Sequence, residues 1–200
     1  MRHPVASSPS GPHSGAWHVT ARLGSVITVG SAFLLAAAAR GDVEVTDPQE
    51  AKAELLYNVA KFIQWPSESF PRQRKEFTFA ILGEDQFAAV LAGTMSQKSV
   101  NGRPVFVRCV KRAEDARDSQ ILFIATSEEK RIPEVLAALR GRSVLTVADS
   151  GGFAAQGGML DFVLDDSGVH FEINLDQAQQ AQLKISARLL ALAHIVANAP

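Results

Sequence analysis

The densest cluster of residues that could do chemistry is Gly151-Gly152-Phe153-Ala154-Ala155-Gln156-Gly157-Gly158, just behind Asp149. Bare backbone N–H groups in such a loop can cradle an anion. A phosphate loop carries Lys-Ser/Thr after its last glycine, and here Met159-Leu160 follow. A dinucleotide fingerprint opens a helix, whereas the next segment reads as a strand. The loop is therefore read as a tight turn re-entering a sheet. The alternative kept open is a small-molecule sensor whose ligand site is Asp149, Gly151, Gly152, Gly157 and Gly158. Asp149 and Asp161 could form an acid/base pair, yet no nucleophile accompanies them. Asp165-Asp166 reads as a solvated turn, with too few oxygen ligands for calcium.

Beyond residue 39 there are two histidines, His170 and His194, and one cysteine, Cys109. That excludes most zinc sites, an internal disulfide and a Cys₄ cluster. Cys109, in the alternating run Val105–Val110, is expected to be a small buried hydrophobe. No catalytic set, cofactor site or metal site is expected.

The same stretch holds one tyrosine and one tryptophan, Tyr57 and Trp65, in one helical segment. Tyr57 and Lys61 are i,i+4 neighbours, flanked by Asn58 and Gln64 and set off the apolar stripe. Two readings stand: aromatic rings packed at a sheet edge with wet polar tips, or a recognition surface; the expectation adopted is that Tyr57, Lys61 and Trp65 form or border the surface for self-association or a protein partner.

Residues 1–39 contain Arg2 and Arg22 and no acid, and Leu23–Ala39 runs 17 residues without a charge to Ala37-Ala38-Ala39. A basic start, a short apolar run and a small-x-small end describe a secretory signal peptide cleaved before Arg40. Residues 40–48 form a short linker and 49–197 a single domain. The whole chain has net charge −1; without the leader's two arginines, 18 basic residues face 21 acidic ones. So mild a balance excludes a nucleic-acid partner.

The elements that must position these residues follow from periodicity. Gln49–Gln64 reads as a helix with Leu55, Leu56, Val59, Ala60, Phe62 and Ile63 on its stripe, stopped by Trp65-Pro66. Strands are expected at Phe77–Leu82, Arg103–Val110, Ile121–Ala125, Val144–Ala148, Met159–Leu164 and Val169–Ile173, the last two joined by a hairpin turn over Asp165–Gly168. Between them come a helix at Glu84–Ala92, a helical turn at Glu114–Asp118 and a helix capped by Ser127. Asn174 is expected to cap a long final helix with Ala178, Ala181, Ile185, Leu189, Leu192 and Ile195 inward. The fold class expected is α/β: three layers, a mostly parallel sheet with an antiparallel hairpin near one edge, and a long C-terminal helix.

Several blocks carry a family resemblance: Ala53–Pro66 with its YN-x-x-KF-x-x-WP pattern, Gly83–Phe87, Ile121–Ile124, Val144–Asp149, Gly157–Phe162, Phe171–Asn174 and Leu183–Leu190. In this order they resemble the YfiR/HmsC-like family over nearly all of residues 49–196. The resemblance implies a non-enzymatic periplasmic regulator that represses an inner-membrane diguanylate cyclase through that enzyme's periplasmic sensory domain, lowering cyclic di-GMP and biofilm formation. It also implies a homodimer. Some relatives carry cysteine pairs; here Ser119 stands where a cysteine is common and Cys109 is alone, so an internal redox bridge is ruled out.

Overall fold

Helix α1 (Pro48–Lys61) opens on Asp47, whose extended backbone lets its carboxylate accept from the Gln49 N–H at 2.8 Å, with Pro48 in the first turn. The computed structural model describes residues 47–70, 75–83, 86–165 and 168–198. The leader, most of the linker, and Asp166 and Ser167 of the hairpin turn lie outside them. Helix α1 ends three residues earlier than its periodicity suggests. Phe62 closes it by donating to Val59 O, and Ile63–Gln64 becomes β1, a strand whose partner lies some 120 residues away. A local pattern carries no trace of such a pairing.

The strands that follow are β2 (Phe77–Leu82), β3 (Ser99–Val100), β4 (Arg103–Val110), β5 (Ile121–Ile124), β6 (Leu145–Ala148), β7 (Leu160–Asp165), β8 (Gly168–Asn174), β9 (Lys184–Ile185) and β10 (His194–Val196). The helices between them are α2 (Phe87–Met95), α3 (Ile132–Ala138), α4 (Leu175–Gln180) and α5 (Ala187–Leu190). Eight strands form one sheet in the order β10-β8-β7-β6-β5-β2-β4-β3. Its centre, β4 to β7, is parallel, as the continuous apolar runs FTFAIL and ILFI require of strands buried on both faces. The β7–β8 hairpin is antiparallel and β10 runs parallel to β8. The short β3 joins β4 through Asn101-Gly102, both at positive φ, the two-residue turn that Asn-Gly favours. β1 and β9 pair separately.

Alternate residues of β2 supply two apolar clusters. Phe77, Phe79 and Ile81 pack under α1, α2 and the C-terminal segment. Ala80 and Leu82 pack on the other face against α3, the 3₁₀ turn Ala113–Ala116 and the loop residue Phe153. That second face is covered only by short pieces. The helix expected from Ser127 is a 3₁₀ turn, Thr126–Arg131, without a side-chain cap, before α3 begins.

The long C-terminal helix is not formed. Asn174 does cap α4, accepting from Gln177 N at 3.1 Å, but α4 closes after six residues. Gln182 takes φ 60°, its N–H donates to Gln179 O and the Leu183 N–H to Ala178 O, both at 2.9 Å. This is the double bond of a Schellman stop, built on glutamine, so the sequence shows no glycine to announce it. Ala178, Ala181 and Leu189 are buried, whereas Leu192 and Ile195 are 71% and 46% exposed. His194 lies in β10 opposite Glu172. Cys109 is exposed, contrary to expectation, because β4 lies one strand from the sheet edge.

Candidate functional site

Tyr57 is half-buried on α1. Its hydroxyl donates to Ser99 O at 3.0 Å, and two ammonium groups lie over its ring, Lys98 Nζ at 4.6 Å and Lys61 Nζ at 5.1 Å from the centroid. Lys98 also pairs with Glu54 at 2.5 Å. Tyr57 and Lys61 thus belong to one exposed patch shared by α1 and β3, with Lys61 itself exposed. Lys98 was not singled out from the sequence, because it reaches Tyr57 from another element.

Trp65 is set apart from that patch. Its indole N–H donates to Gln120 O at 3.0 Å, and its ring meets Phe77 edge-on at 5.0 Å. Gln120 is itself a buried brace: its Oε1 accepts from the Thr78 N–H at 2.7 Å and its Nε2 donates to Ser69 O at 2.6 Å. The Trp65-Pro66 corner is thereby pinned to the start of β5.

The glycine loop folds back on the sheet. Gly151, Gly152 and Gly157 hold positive φ, and Phe153 and Ala154 are fully buried. Gly158 lies directly against the Phe153 ring, and the Phe153 N–H donates to Asp161 Oδ2 at 2.9 Å. The loop is filled by its own aromatic side chain. Asp149 stands apart from Gly157 and Gly158: it forms an ion pair with Lys52 of α1 and accepts from the Thr126 hydroxyl at 3.4 Å. Lys52 lies over the rings of Phe87 and Phe123, at 5.2 and 5.9 Å. Asp149 and Gly151 line a cleft of about 410 Å³ with Lys52, Gln49 and Phe162, while Gly157 borders a separate groove beside α3 and α4. The Lys52 contact joins residues 97 apart in sequence, so no spacing could reveal it.

Asp161 and Asp149 do not form an acid/base pair through a hydrogen bond. Asp161 is buried opposite Glu172 in the hairpin, with Oδ1 unpartnered. Burial pushes its carboxyl up to about 6, helped by Glu172 and Asp149 and opposed by the backbone N–H groups of Phe153 and Gly152. The folded state therefore keeps a proton that the unfolded chain releases near pH 4. Asp161's stabilising contribution is complete below about pH 4 and is lost as pH rises through 6. Asp161→Asn is expected to gain stability relative to the native protein as pH rises from 5 to 7.5, read as thermal midpoints across that range. A constant difference would show that the carboxyl titrates normally.

Among the described residues no cluster of His, Cys, Asp or Glu side chains is placed to hold a metal ion, and no helix is long and apolar enough to cross a membrane.

Together these features define a small α/β domain whose central strands follow a doubly wound order, with two candidate features on α1: a half-buried tyrosine beside two lysines and a cleft holding the Lys52–Asp149 pair. The profile of the YfiR/HmsC-like family matches residues 49–194, and the chain belongs to that family. Its fold is similar to that of a conserved domain protein from Vibrio cholerae O1 biovar El Tor, at 11% identity and a TM-score of 0.53. An ABC domain in complex with L-Trp from Streptococcus pneumoniae matches at 13% identity and a TM-score of 0.47. Each match covers 74% of this chain and 60% of the other.

Proposed function

We propose that this protein is a periplasmic regulator that represses an inner-membrane diguanylate cyclase by binding its periplasmic sensory domain, and that it acts by association, without turnover. The observation that carries this reading is membership of the YfiR/HmsC-like family across residues 49–194. The reading of residues 1–39 as a signal peptide supports it, since export brings the domain to the compartment where such a sensory domain is accessible. The surface assigned to partner binding or to homodimer contact is the α1–β3 patch of Tyr57 and Lys61. Its support is the half-buried ring with a wet hydroxyl side, the kind of aromatic anchor that binding surfaces favour. Trp65 belongs to a separate corner, bonded to Gln120 O and packed on Phe77.

The reading is tested in cells. Deleting the gene from a host that carries the partner cyclase is expected to raise cyclic di-GMP and biofilm mass, and an exported copy should restore both. Unchanged cyclic di-GMP in the deletion strain would refute the repressor role.

A further inference from the structure

The cleft between the start of α1 and the ends of the parallel strands has no part in the reading above. It is lined by Pro48, Gln49, Lys52, Asp149, Gly151 and Phe162 and holds about 410 Å³, within the range of small-molecule sites. Its place is notable on topological grounds. The chain runs from β2 to β4 on one side and then to β5 on the other, so the order reverses between β2 and β5, where open α/β sheets bind ligands. The cleft itself opens to one side of this point, at the end of β6 and against β7, with Asp149, Gly151 and Phe162 in its lining, and Lys52 links the two, its ammonium lying over Phe87, which follows β2, and Phe123 of β5.

We propose that the cleft binds a small organic cation, an ammonium group on a short apolar body. Its polar groups are mostly acceptors. Asp149 receives Lys52 on one oxygen and only a long bond from Thr126 on the other, and Gln49 Oε1 is buried with no donor. Among the described residues Lys52 is the only cation in the lining, and it is already committed to Asp149. The surrounding charge has the same sign preference: Asp47 and Glu50 lie at the start of α1, and Asp161 and Glu172 lie behind Asp149. An anion would meet these carboxylates, whereas a cation is drawn in by them. Pro48 and Phe162 supply an apolar wall for the body of the ligand.

Binding is measured on the purified protein by calorimetry and thermal shift, with n-butylammonium and putrescine as probes and butyrate and butanol as controls. The ammonium probes are expected to bind saturably and raise the thermal midpoint by mass action, the controls not. Asp149→Asn should weaken the cations about tenfold or more, since a charged partner is lost. Lys52→Met should strengthen them by releasing the Asp149 carboxylate, a gain that a purely structural Lys52–Asp149 pair does not produce. Should Asp149→Asn fold poorly, Gln49→Leu serves in its place and should also weaken binding. Equal shifts from butyrate or butanol, or no shift from either cation at millimolar concentration in both the native protein and Lys52→Met, would overturn the proposal. No cyclase is present in this experiment, so its failure leaves the repressor reading untouched.

Discussion

Gly158→Ala is expected to destabilise the fold by about 3 kcal/mol, the upper end of what forced overpacking of a core costs. A Cβ at this position would stand no more than 2.5 Å from three atoms of the Phe153 ring. That ring cannot swing aside. It is fully buried in the cluster with Ala80, Leu82, Val144 and Ala148, and its backbone is held on both sides, by Asp161 at its N–H and by the Gly158 N–H at its carbonyl. For a domain of this size the loss corresponds to a fall of roughly 10 °C in thermal midpoint. Phe153→Leu should be costly alone yet lessen the cost of Gly158→Ala, because it removes the atoms in conflict. A double-mutant cycle by denaturant unfolding measures that coupling. Additive effects, or a Gly158→Ala protein as stable as the native one, would contradict the description of the loop as plugged by its own phenylalanine.

Tyr57→Ala combined with Lys61→Ala is expected to weaken partner binding by about 2 kcal/mol or more, roughly thirtyfold, while the thermal midpoint stays within a few degrees. The reasoning is one of burial. Lys61 is exposed, and Tyr57, at the margin of the core, contributes to the fold a half-buried ring and one hydroxyl bond at the surface. Trp65→Ala should behave in the opposite way. It leaves Gln120 O without the indole donor and opens a void beside the fully buried Phe77, so it should cost about 3 kcal/mol of stability. Affinity and unfolding are measured for both proteins. If the Tyr57/Lys61 variant loses stability in step with affinity, the patch is core and the docking surface lies elsewhere.

The contrast between Tyr57 and Trp65 shows what was legible beforehand. Strands β2, β4 and β5, the capping role of Asn174 and the hairpin of β7 and β8 follow from local signals: unbroken apolar runs, a side-chain oxygen ahead of a helix, and turn residues between strands. What escaped depends on partners far off in sequence. β1 and β9 are two residues each and exist because they meet each other. The helix stop at Gln182 lacks the usual glycine, so the apolar period of residues 178–195 continued through it. Asn101-Gly102 does carry a local hairpin signal, and it is the turn that joins β3 to β4. At the candidate sites, spacing brought Tyr57 and Lys61 together on one helix, but Lys98, Lys52 and the Gln120 brace arrive from other elements and left no mark in the local pattern.

The central claim is association with a cyclase's sensory domain, and the most direct measurement is a titration of the purified protein, freed of residues 1–39, against that isolated periplasmic domain, followed by calorimetry. Saturable binding with a fixed stoichiometry, weakened by Tyr57→Ala with Lys61→Ala and retained by a surface control such as Glu129→Ala, is the result this account predicts. A folded protein that shows no heat of binding to the periplasmic domain of the cyclase whose output its deletion changes would contradict it.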